Sequence, residues 1–168
     1  MRIAITGTPG TGKTTVSGLV ETDFSVMHLN DVIPEEELIQ GHDSERGSWI
    51  ADIERVTAYV SNCSDVIFES HLAHLIPVDK VIVLRCHPHE LRERLATRGE
   101  PEAKIEENVL SEAHDVILAE TVDIHGQETV YEVDTTGKRP EKVATTIEEI
   151  IECEHEPSVG IVSFLDEI

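Results

Sequence analysis

Residues 7–14 have the sequence Gly-Thr-Pro-Gly-Thr-Gly-Lys-Thr, and this stretch decides the fold. It matches the phosphate-binding loop pattern GxxxxGK[ST] at every fixed position. The apolar segment RIAIT at residues 2–6 precedes it, and a segment with helical spacing at 13–21 follows it. Glycine lets backbone N–H groups turn inward around phosphate oxygens, and the start of the next helix favours an anion. The stretch therefore predicts a nucleoside triphosphate site between a strand and a helix.

The side chains of this loop have predicted roles in holding the nucleotide. We expect Lys13 to reach the β- and γ-phosphates and the Thr14 hydroxyl to ligate Mg²⁺. Thr15 is expected near the α-phosphate, with Gly10 and Gly12 in the backbone cradle of the phosphates. ATP with Mg²⁺ is therefore the expected cofactor. The loop alone does not identify the acceptor, because many kinases and ATPases share it.

Apolar runs and helical patterns alternate along the rest of the chain. The predicted strands are 2–6, 24–29, 65–69, 80–84 and 130–133, and the predicted helices are 13–21, 31–39, 48–60, 88–97, 101–121 and 140–153. This alternation predicts an α/β fold, with a five-stranded parallel sheet covered by helices on both faces. We expect residues 1–154 to form one phosphate-loop core and residues 155–168 to form a C-terminal tail.

A carboxylate at the end of a neighbouring strand holds the hydration shell of Mg²⁺ in proteins with this loop. Glu69 ends the buried-type strand DVIFE and is the predicted residue, with His71 two positions later. The alternative role for Glu69 is a structural carboxylate that caps the next turn. A metal pair of His71 and His74 is not favoured, because two histidines three apart on a loop are usually ordinary polar residues.

The few basic residues include candidates for neutralising charge during phosphoryl transfer. Arg98 lies at a predicted helix break beside Gly99 and is the candidate lid residue. Arg92 and Arg94 are equally consistent with pairing to acidic residues on their own helix. Two roles stay open for Arg55, which are contact with an acceptor phosphate and pairing with its acidic neighbours.

The composition is strongly acidic. Thirteen Lys and Arg residues against 34 Asp and Glu residues give a net charge of −21, spread along the whole chain. Such a surface is typical of proteins from a high-salt cytoplasm, where screening removes most self-repulsion. The same charge argues against sequence-specific nucleic-acid binding, which needs clustered Lys and Arg. No apolar run is long enough for a membrane span and no signal peptide is recognisable, so we expect a cytoplasmic protein.

Several segments together resemble the nuclear-type adenylate kinases (adenylate kinase isoenzyme 6), a family of eukaryotes and archaea. These segments are GTPGTGKTT at 7–15, LNDVIPEEELIQGHDSERGSWIADIERV at 29–56, FESH at 68–71 and VIVLRCHPHELRERLATRG at 81–99. The resemblance implies a P-loop NTPase fold of the nucleoside monophosphate kinase type. It also implies an acceptor-binding insertion near 31–54 and a short lid near 97–107.

The same resemblance implies a broad-specificity nucleoside monophosphate kinase (ATP + NMP = ADP + NDP) that also hydrolyses ATP. The candidate catalytic residues are Lys13, Glu69, His71 and Arg98, and Arg98 is also expected to contact ATP. Asp31 and Arg55 are the candidate acceptor-binding residues. The family usually has Asp-x-His where this chain has Glu69-x-His71. The effect of the longer side chain on the rate is therefore open.

The resemblance further implies a role in late maturation of the small ribosomal subunit, through transient binding of ribosomal protein uS11 and the subunit precursor. Two alternatives stay open, which are an ATPase switch with little kinase activity and another small-molecule kinase on the same fold, such as a shikimate-type enzyme. A carboxylate substrate is disfavoured, because only Arg46 and Arg55 are available between residues 30 and 60.

The acidic composition predicts salt-dependent stability. We expect the melting temperature to be higher in molar KCl than in low-salt buffer, because screening weakens the repulsion among acidic side chains. Thermal unfolding followed by circular dichroism at the two salt concentrations measures the difference. Equal melting temperatures would contradict a halophilic source.

Overall fold

The computed structural model describes residues 1–43 and 48–167. The first half of the chain contains β1 (Arg2–Thr6), α1 (Lys13–Ser17), β2 (Ser25–His28), α2 (Leu29–Glu35), β3 (Ile39–Asp43), β4 (Ser48–Ala51), α3 (Ile53–Val60) and β5 (Val66–Glu69). The second half contains β6 (Lys80–Arg85), α4 (Pro88–Thr97), α5 (Glu102–Ala113), α6 (Val116–His125), β7 (Val130–Asp134) and α7 (Pro140–Ile151).

The central sheet has five parallel strands in the spatial order β2-β5-β1-β6-β7. The strand that leads into the phosphate loop, β1, is the middle one. On one face, Ala4 and Phe68 pack with side chains of α2, α3 and α6, and on the other face Ile3 and Ile5 pack with side chains of α1 and α7. The predicted five-stranded parallel sheet with helices on both faces is therefore confirmed.

The carboxyl ends of three neighbouring strands meet beside the phosphate loop. Ile5 of β1 is in register with Glu69 of β5, and Glu69 is in register with His28 of β2. Open α/β sheets bind their ligands beside the carboxyl ends of their strands. The topology therefore places Glu69 and His28 next to the loop that follows β1.

Residues 48–60 form a strand and then a helix, so the single helix predicted there is wrong. In β4, Trp49 lies opposite His42 of the antiparallel strand β3. The helix α3 begins only after Asp52, whose carboxylate accepts the backbone N–H of Arg55 and caps the helix. Trp49 and its neighbour Ile50 favour strands, and Asp52 is a strong helix cap, so local propensity agrees with the observed break.

The helix predicted at 31–39 is displaced towards the N-terminus. It begins at Leu29, with His28 rather than Asp31 at the N-cap position, and Ile39 already belongs to β3. Residues 44–47 of the predicted insertion, among them Arg46, lie outside the described residues.

Residues 101–121 belong to two helices, so the one long helix predicted there is also wrong. The first, α5, ends at Ala113, and Asp115 adopts a left-handed φ of 54° before α6 begins. The carboxylate of Asp115 is bound there by the buried guanidinium of Arg85. Among the described residues, neither these helices nor any other is long and apolar enough to cross a membrane.

The segment after α7 packs along the outer edge of the sheet. Ser158 exchanges backbone hydrogen bonds with β7. The backbone N–H of Ile161 donates to the Glu132 carboxylate at 2.7 Å, and Phe164 is buried with its ring 5.4 Å from the Arg85 guanidinium. This segment therefore covers the edge that β7 would otherwise expose.

Candidate active site

The phosphate loop takes backbone conformations that require glycine. Gly7, Gly10 and Gly12 have φ values of 136°, 99° and 101°. A Cβ atom on Gly7 would overlap the carbonyl oxygen of Leu84, and one on Gly10 would lie 2.7 Å from the Leu91 side chain. Because other residues rarely adopt such φ values, conformation explains all three glycines, and packing adds to it at Gly7 and Gly10.

The phosphate loop folds around the ammonium group of Lys13. The Lys13 side chain is only 7% exposed, and Nζ donates to the carbonyl oxygens of Gly7 at 2.7 Å and Thr8 at 3.0 Å. Burial lowers the pKa of Lys13 from 10.5 to about 8, although the nearby Glu69 and Glu112 carboxylates act in the opposite direction. Since a nearby anion favours the protonated form of lysine, this position suits a polyanionic ligand.

Glu69 lies beside the first turn of α1. It is 1% exposed, and its Oε2 accepts a hydrogen bond from the Thr14 hydroxyl at 3.3 Å and lies 2.7 Å from His28 Nδ1. Within residues 1–43 and 48–167, the buried Oε1 has no hydrogen-bond partner. A buried acceptor without a donor is costly, and a metal-bound water is a suitable donor. A hydroxyl and a carboxylate are also ligands suited to hydrated Mg²⁺, so Thr14 and Glu69 fit the predicted metal.

His71 and Arg98 line a cavity of about 140 Å³ together with Lys13, Thr14 and Glu69. Burial, followed by the charge of Lys13, lowers the pKa of His71 from 6.5 to about 4, so its imidazole is neutral at neutral pH. Arg98 closes α4 and is exposed beside Gly99. The structure thus brings the five predicted residues of the core site together, while their roles stay predictions.

The predicted acceptor-binding residues lie elsewhere. Asp31 in α2 and Arg55 in α3 are exposed and do not line this cavity. Among the described residues of this region, Asn30 lines the cavity, and its Oδ1 accepts a hydrogen bond from the Ser70 hydroxyl at 2.8 Å. Sequence reasoning missed Asn30, because a single polar residue after a strand belongs to no recognisable motif.

A second groove of about 230 Å³ lies on the other side of the loop. Its lining includes Thr15, Arg98, Lys138 and Pro140. Arg98 lies between this groove and the first cavity, since it lines both. The groove brings the predicted ATP-binding residues Thr15 and Arg98 together with the segment after β7, which the sequence had not indicated.

Arg94 connects the phosphate loop to the segment that follows β7. Its guanidinium donates to the carbonyl oxygens of Gly10 at 3.5 Å and Thr11 at 3.3 Å, and to the Thr135 carbonyl oxygen at 3.3 Å. It also pairs with Glu90 at 2.5 Å. Arg94 therefore pairs with an acidic residue of its own helix, α4, which is one of the two roles left open for it. It also contacts the phosphate loop. Arg92 instead pairs with Glu102 and Glu106 of α5, which lie within the predicted lid.

A buried carboxylate supports the loop from the side of α5. Glu112 is 2% exposed and accepts hydrogen bonds from the Thr8 hydroxyl, from the Cys86 backbone N–H at 3.0 Å and from Arg85 Nε at 2.8 Å. Thr8 is also a residue whose carbonyl oxygen holds Lys13. The position of the loop around Lys13 therefore depends on a side chain that lies 104 residues beyond Thr8 in the sequence.

Arg85 extends this contact to the outer edge of the sheet. It is 1% exposed and pairs with Glu112, with Asp115 and, at 2.7 Å, with Glu132. Glu132 in turn accepts the backbone N–H of Ile161. Continuous polar contacts therefore join the phosphate loop to the C-terminal segment, and we call Arg85 with its three carboxylates the buried ion network.

The chain is similar to proteins of known families. Residues 3–115 match a family model described as an AAA domain. A protein from Natronomonas pharaonis is 52% identical over 168 residues, with full coverage of both chains. One from Halobacterium salinarum is 47% identical with 99% coverage of both, and one from Methanothermobacter thermautotrophicus is 45% identical, covering 89% of this chain and 88% of the relative. All three are provisionally named adenylate kinase.

Solved structures with the same fold are more distant in sequence. Shikimate kinase from Acinetobacter baumannii, in complex with shikimate, has a TM-score of 0.64 at 14% identity and covers 91% of this chain and 93% of that one. Deoxyadenosine kinase from M. mycoides, with bound dATP, has a TM-score of 0.60 at 14% identity and covers 90% and 100%. At such identities these likenesses show the fold alone.

Removing the cation of the buried ion network is expected to destabilise the protein strongly. Arg85→Met leaves the Glu112 and Glu132 carboxylates buried without their partner, which costs about 3–5 kcal/mol of unfolding free energy. Arg92→Met makes the same change in an arginine whose ion pairs are at the surface, and should cost only about 0–1 kcal/mol. Urea unfolding of both variants in molar KCl measures the difference. Equal, small losses would contradict a supporting role of the network.

Proposed function

Because the chain belongs to the archaeal adenylate kinase family, we propose that it transfers the γ-phosphoryl group of ATP to a range of nucleoside monophosphates and hydrolyses ATP as a side activity. The family membership supports the phosphotransferase class. The observation that carries the mechanism is the convergence of Lys13, Thr14 and Glu69 on one cavity. Direct in-line transfer needs no covalent intermediate, so the protein contributes positioning and charge neutralisation.

Two cationic side chains would neutralise the phosphates. In our proposal Lys13 exchanges its contacts with backbone carbonyl oxygens for the β- and γ-phosphate oxygens of ATP. Arg98 would approach the transferred group from the turn at Gly99, which has a left-handed φ of 76° and free space around it. This turn lies in the proposed lid at 97–107, whose movement would bring the exposed guanidinium to the nucleotide.

Thr14 and Glu69 would hold the Mg²⁺ that accompanies ATP. The Thr14 hydroxyl is the proposed direct ligand, and Glu69 Oε1 is the proposed acceptor for a water of the hydration shell. When bound, the ion neutralises charge on the phosphates during transfer. The partnerless Oε1 supports this assignment over the alternative role of Glu69 as a cap of the next turn.

His71 is the proposed orienting residue for the attacking oxygen. Its low pKa keeps the ring neutral at neutral pH, so the ring has one donor and one acceptor nitrogen. In the first case the N–H donates a hydrogen bond to an oxygen of the acceptor phosphate. In the second case the other nitrogen accepts a hydrogen bond from a water near the γ-phosphate. The second case provides a route to ATP hydrolysis when no acceptor is bound.

We place the acceptor against the insertion at 31–54. Asn30 already lines the cavity, whereas Asp31 and Arg55 are exposed. A role for Asp31 and Arg55 in binding the monophosphate therefore requires the insertion to move towards the loop. Such closure would also exclude water from the transferred group.

A second role, as a cytoplasmic assembly factor, is supported by the charge of the protein. A net charge of −21 is complementary to a basic ribosomal protein, and uS11 is the candidate partner during small-subunit maturation. ATP hydrolysis would then act as the switch that releases the partner. The two roles use the same nucleotide site and are compatible.

Phosphoryl transfer to several acceptors tests the enzymatic proposal. Transfer from ATP to AMP, CMP, UMP and GMP should be measured beside hydrolysis without acceptor, all in molar KCl. We expect transfer to more than one monophosphate, and a loss of about 10²-fold or more in Lys13→Ala, because the phosphate charge is no longer neutralised. Lys142→Ala removes an exposed lysine of α7 and should keep the rate. Unchanged turnover in Lys13→Ala would refute the mechanism.

Binding to uS11 tests the assembly role. We expect purified uS11 to be retained by the immobilised protein, more strongly at low salt than in molar KCl because screening weakens the charge attraction. Retention should also differ between ATP-bound and nucleotide-free protein. A basic protein of unrelated fold serves as the control for non-specific charge attraction. Retention of uS11 no greater than that of the control, in either nucleotide state, would reject this role.

A further inference from the structure

We propose that His28 is a positioning residue for Glu69, whose carboxylate it holds so that Oε1 faces the metal-bound water. The inference rests on the proposed role of Glu69 at the Mg²⁺ site. It concerns a residue for which the sequence offers no motif, and which the strand pairing alone brings to the site.

The backbone around His28 is fixed on both sides. His28 is the last residue of β2, in register with Glu69 at the end of β5, and it is also the N-cap residue of α2. Residues in register on adjacent strands have neighbouring side chains. The histidine is therefore held next to the carboxylate by the sheet itself.

The hydrogen bonds of Glu69 are distributed unequally between its two oxygens. His28 Nδ1 lies 2.7 Å from Oε2, and the Thr14 hydroxyl donates to the same oxygen at 3.3 Å. In the proposed arrangement Oε2 is the acceptor of both contacts, with His28 as the tautomer that carries its proton on Nδ1. Oε1 is buried and has no partner within the described part of the chain. Two donors thus fix one oxygen and leave the other for a ligand.

Glutamate needs such support more than a shorter acid would. Its side chain has one more rotatable bond than aspartate, and each bond that must be held costs conformational entropy. The His28 contact restricts this freedom before the metal binds. An aspartate at position 69 would end one methylene nearer to the backbone and would lose the 2.7 Å contact with Nδ1.

The contacts of His28 indicate positioning rather than direct catalysis. Its side chain touches Glu69, but His28 is not among the residues that line the cavity with Lys13, His71 and Arg98. The ring therefore acts on the ligand site through the carboxylate. Partners of this kind typically change metal affinity or activity by about 10–100-fold when they are removed.

Metal binding to the nucleotide complex tests the inference without requiring turnover. Mn²⁺ affinity of the full-length protein bound to a non-hydrolysable ATP analogue is measured by electron paramagnetic resonance in molar KCl. We expect His28→Ala to weaken Mn²⁺ binding by about 10-fold or more. His28→Asn should restore most of the affinity, because the amide nitrogen can take the place of Nδ1. The control His155→Ala removes an exposed histidine near the C-terminus and should have wild-type affinity.

A double-mutant cycle separates positioning from general structural damage. In a Glu69→Asp background, His28→Ala should have almost no further effect, because the shorter carboxylate no longer reaches the ring. Wild-type Mn²⁺ affinity in His28→Ala would overturn the inference. An equal loss in both backgrounds would overturn it as well, since His28 would then act independently of Glu69.

Glu69→Gln distinguishes failure of the inference from failure of the metal site. Reduced Mn²⁺ affinity in this variant, together with wild-type affinity in His28→Ala, would overturn only the positioning role. Wild-type affinity in Glu69→Gln would overturn the metal role of Glu69 and, with it, the inference. Melting temperatures of all variants confirm that each protein is folded in the assay.

Discussion

The buried ammonium group of Lys13 is the constraint on which the site depends. Nζ is held by two backbone carbonyl oxygens of the phosphate loop, and burial brings its pKa down to about 8. A charge in this position is costly unless anions approach it, so the protein keeps the Glu69 and Glu112 carboxylates near. The phosphates of a nucleotide would complete this arrangement, and the loop is shaped to receive them.

The rest of the structure holds the loop around that charge. Glu112 reaches the loop through Thr8 and links it to Arg85, and Arg85 is linked through Glu132 to the C-terminal segment. Glu112 belongs to α5, the helix that begins within the proposed lid. The proposed lid, the phosphate loop and the outer edge of the sheet are thus joined by continuous contacts, so a change in one of them can alter the surroundings of Lys13.

Local sequence patterns made part of the fold and of the candidate site predictable. The glycines around Lys13 form a complete motif, and Glu69 ends a recognisable buried strand, so both were found. His28, Asn30 and the left-handed turn at Asp115 were missed, because each depends on a partner far away in the sequence. His28 matters only because β2 pairs with β5, and Asp115 because Arg85 lies beneath it. The strand at 48–51 was missed because Trp49 continues the helical spacing of Ile53, Val56 and Val60 in the helix that follows.

Proton uptake on nucleotide binding tests most directly whether Lys13 is the phosphate partner. Isothermal titration calorimetry with a non-hydrolysable ATP analogue and Mg²⁺, in buffers of different ionisation enthalpy, counts the protons. With a pKa near 8 in the free protein, Lys13 is largely neutral at about pH 9, and phosphates that raise this pKa should cause uptake of about one proton per site. Near pH 6.5 the lysine is already protonated, so the uptake from Lys13 should vanish. Nucleotide binding without proton uptake at pH 9 would contradict the account.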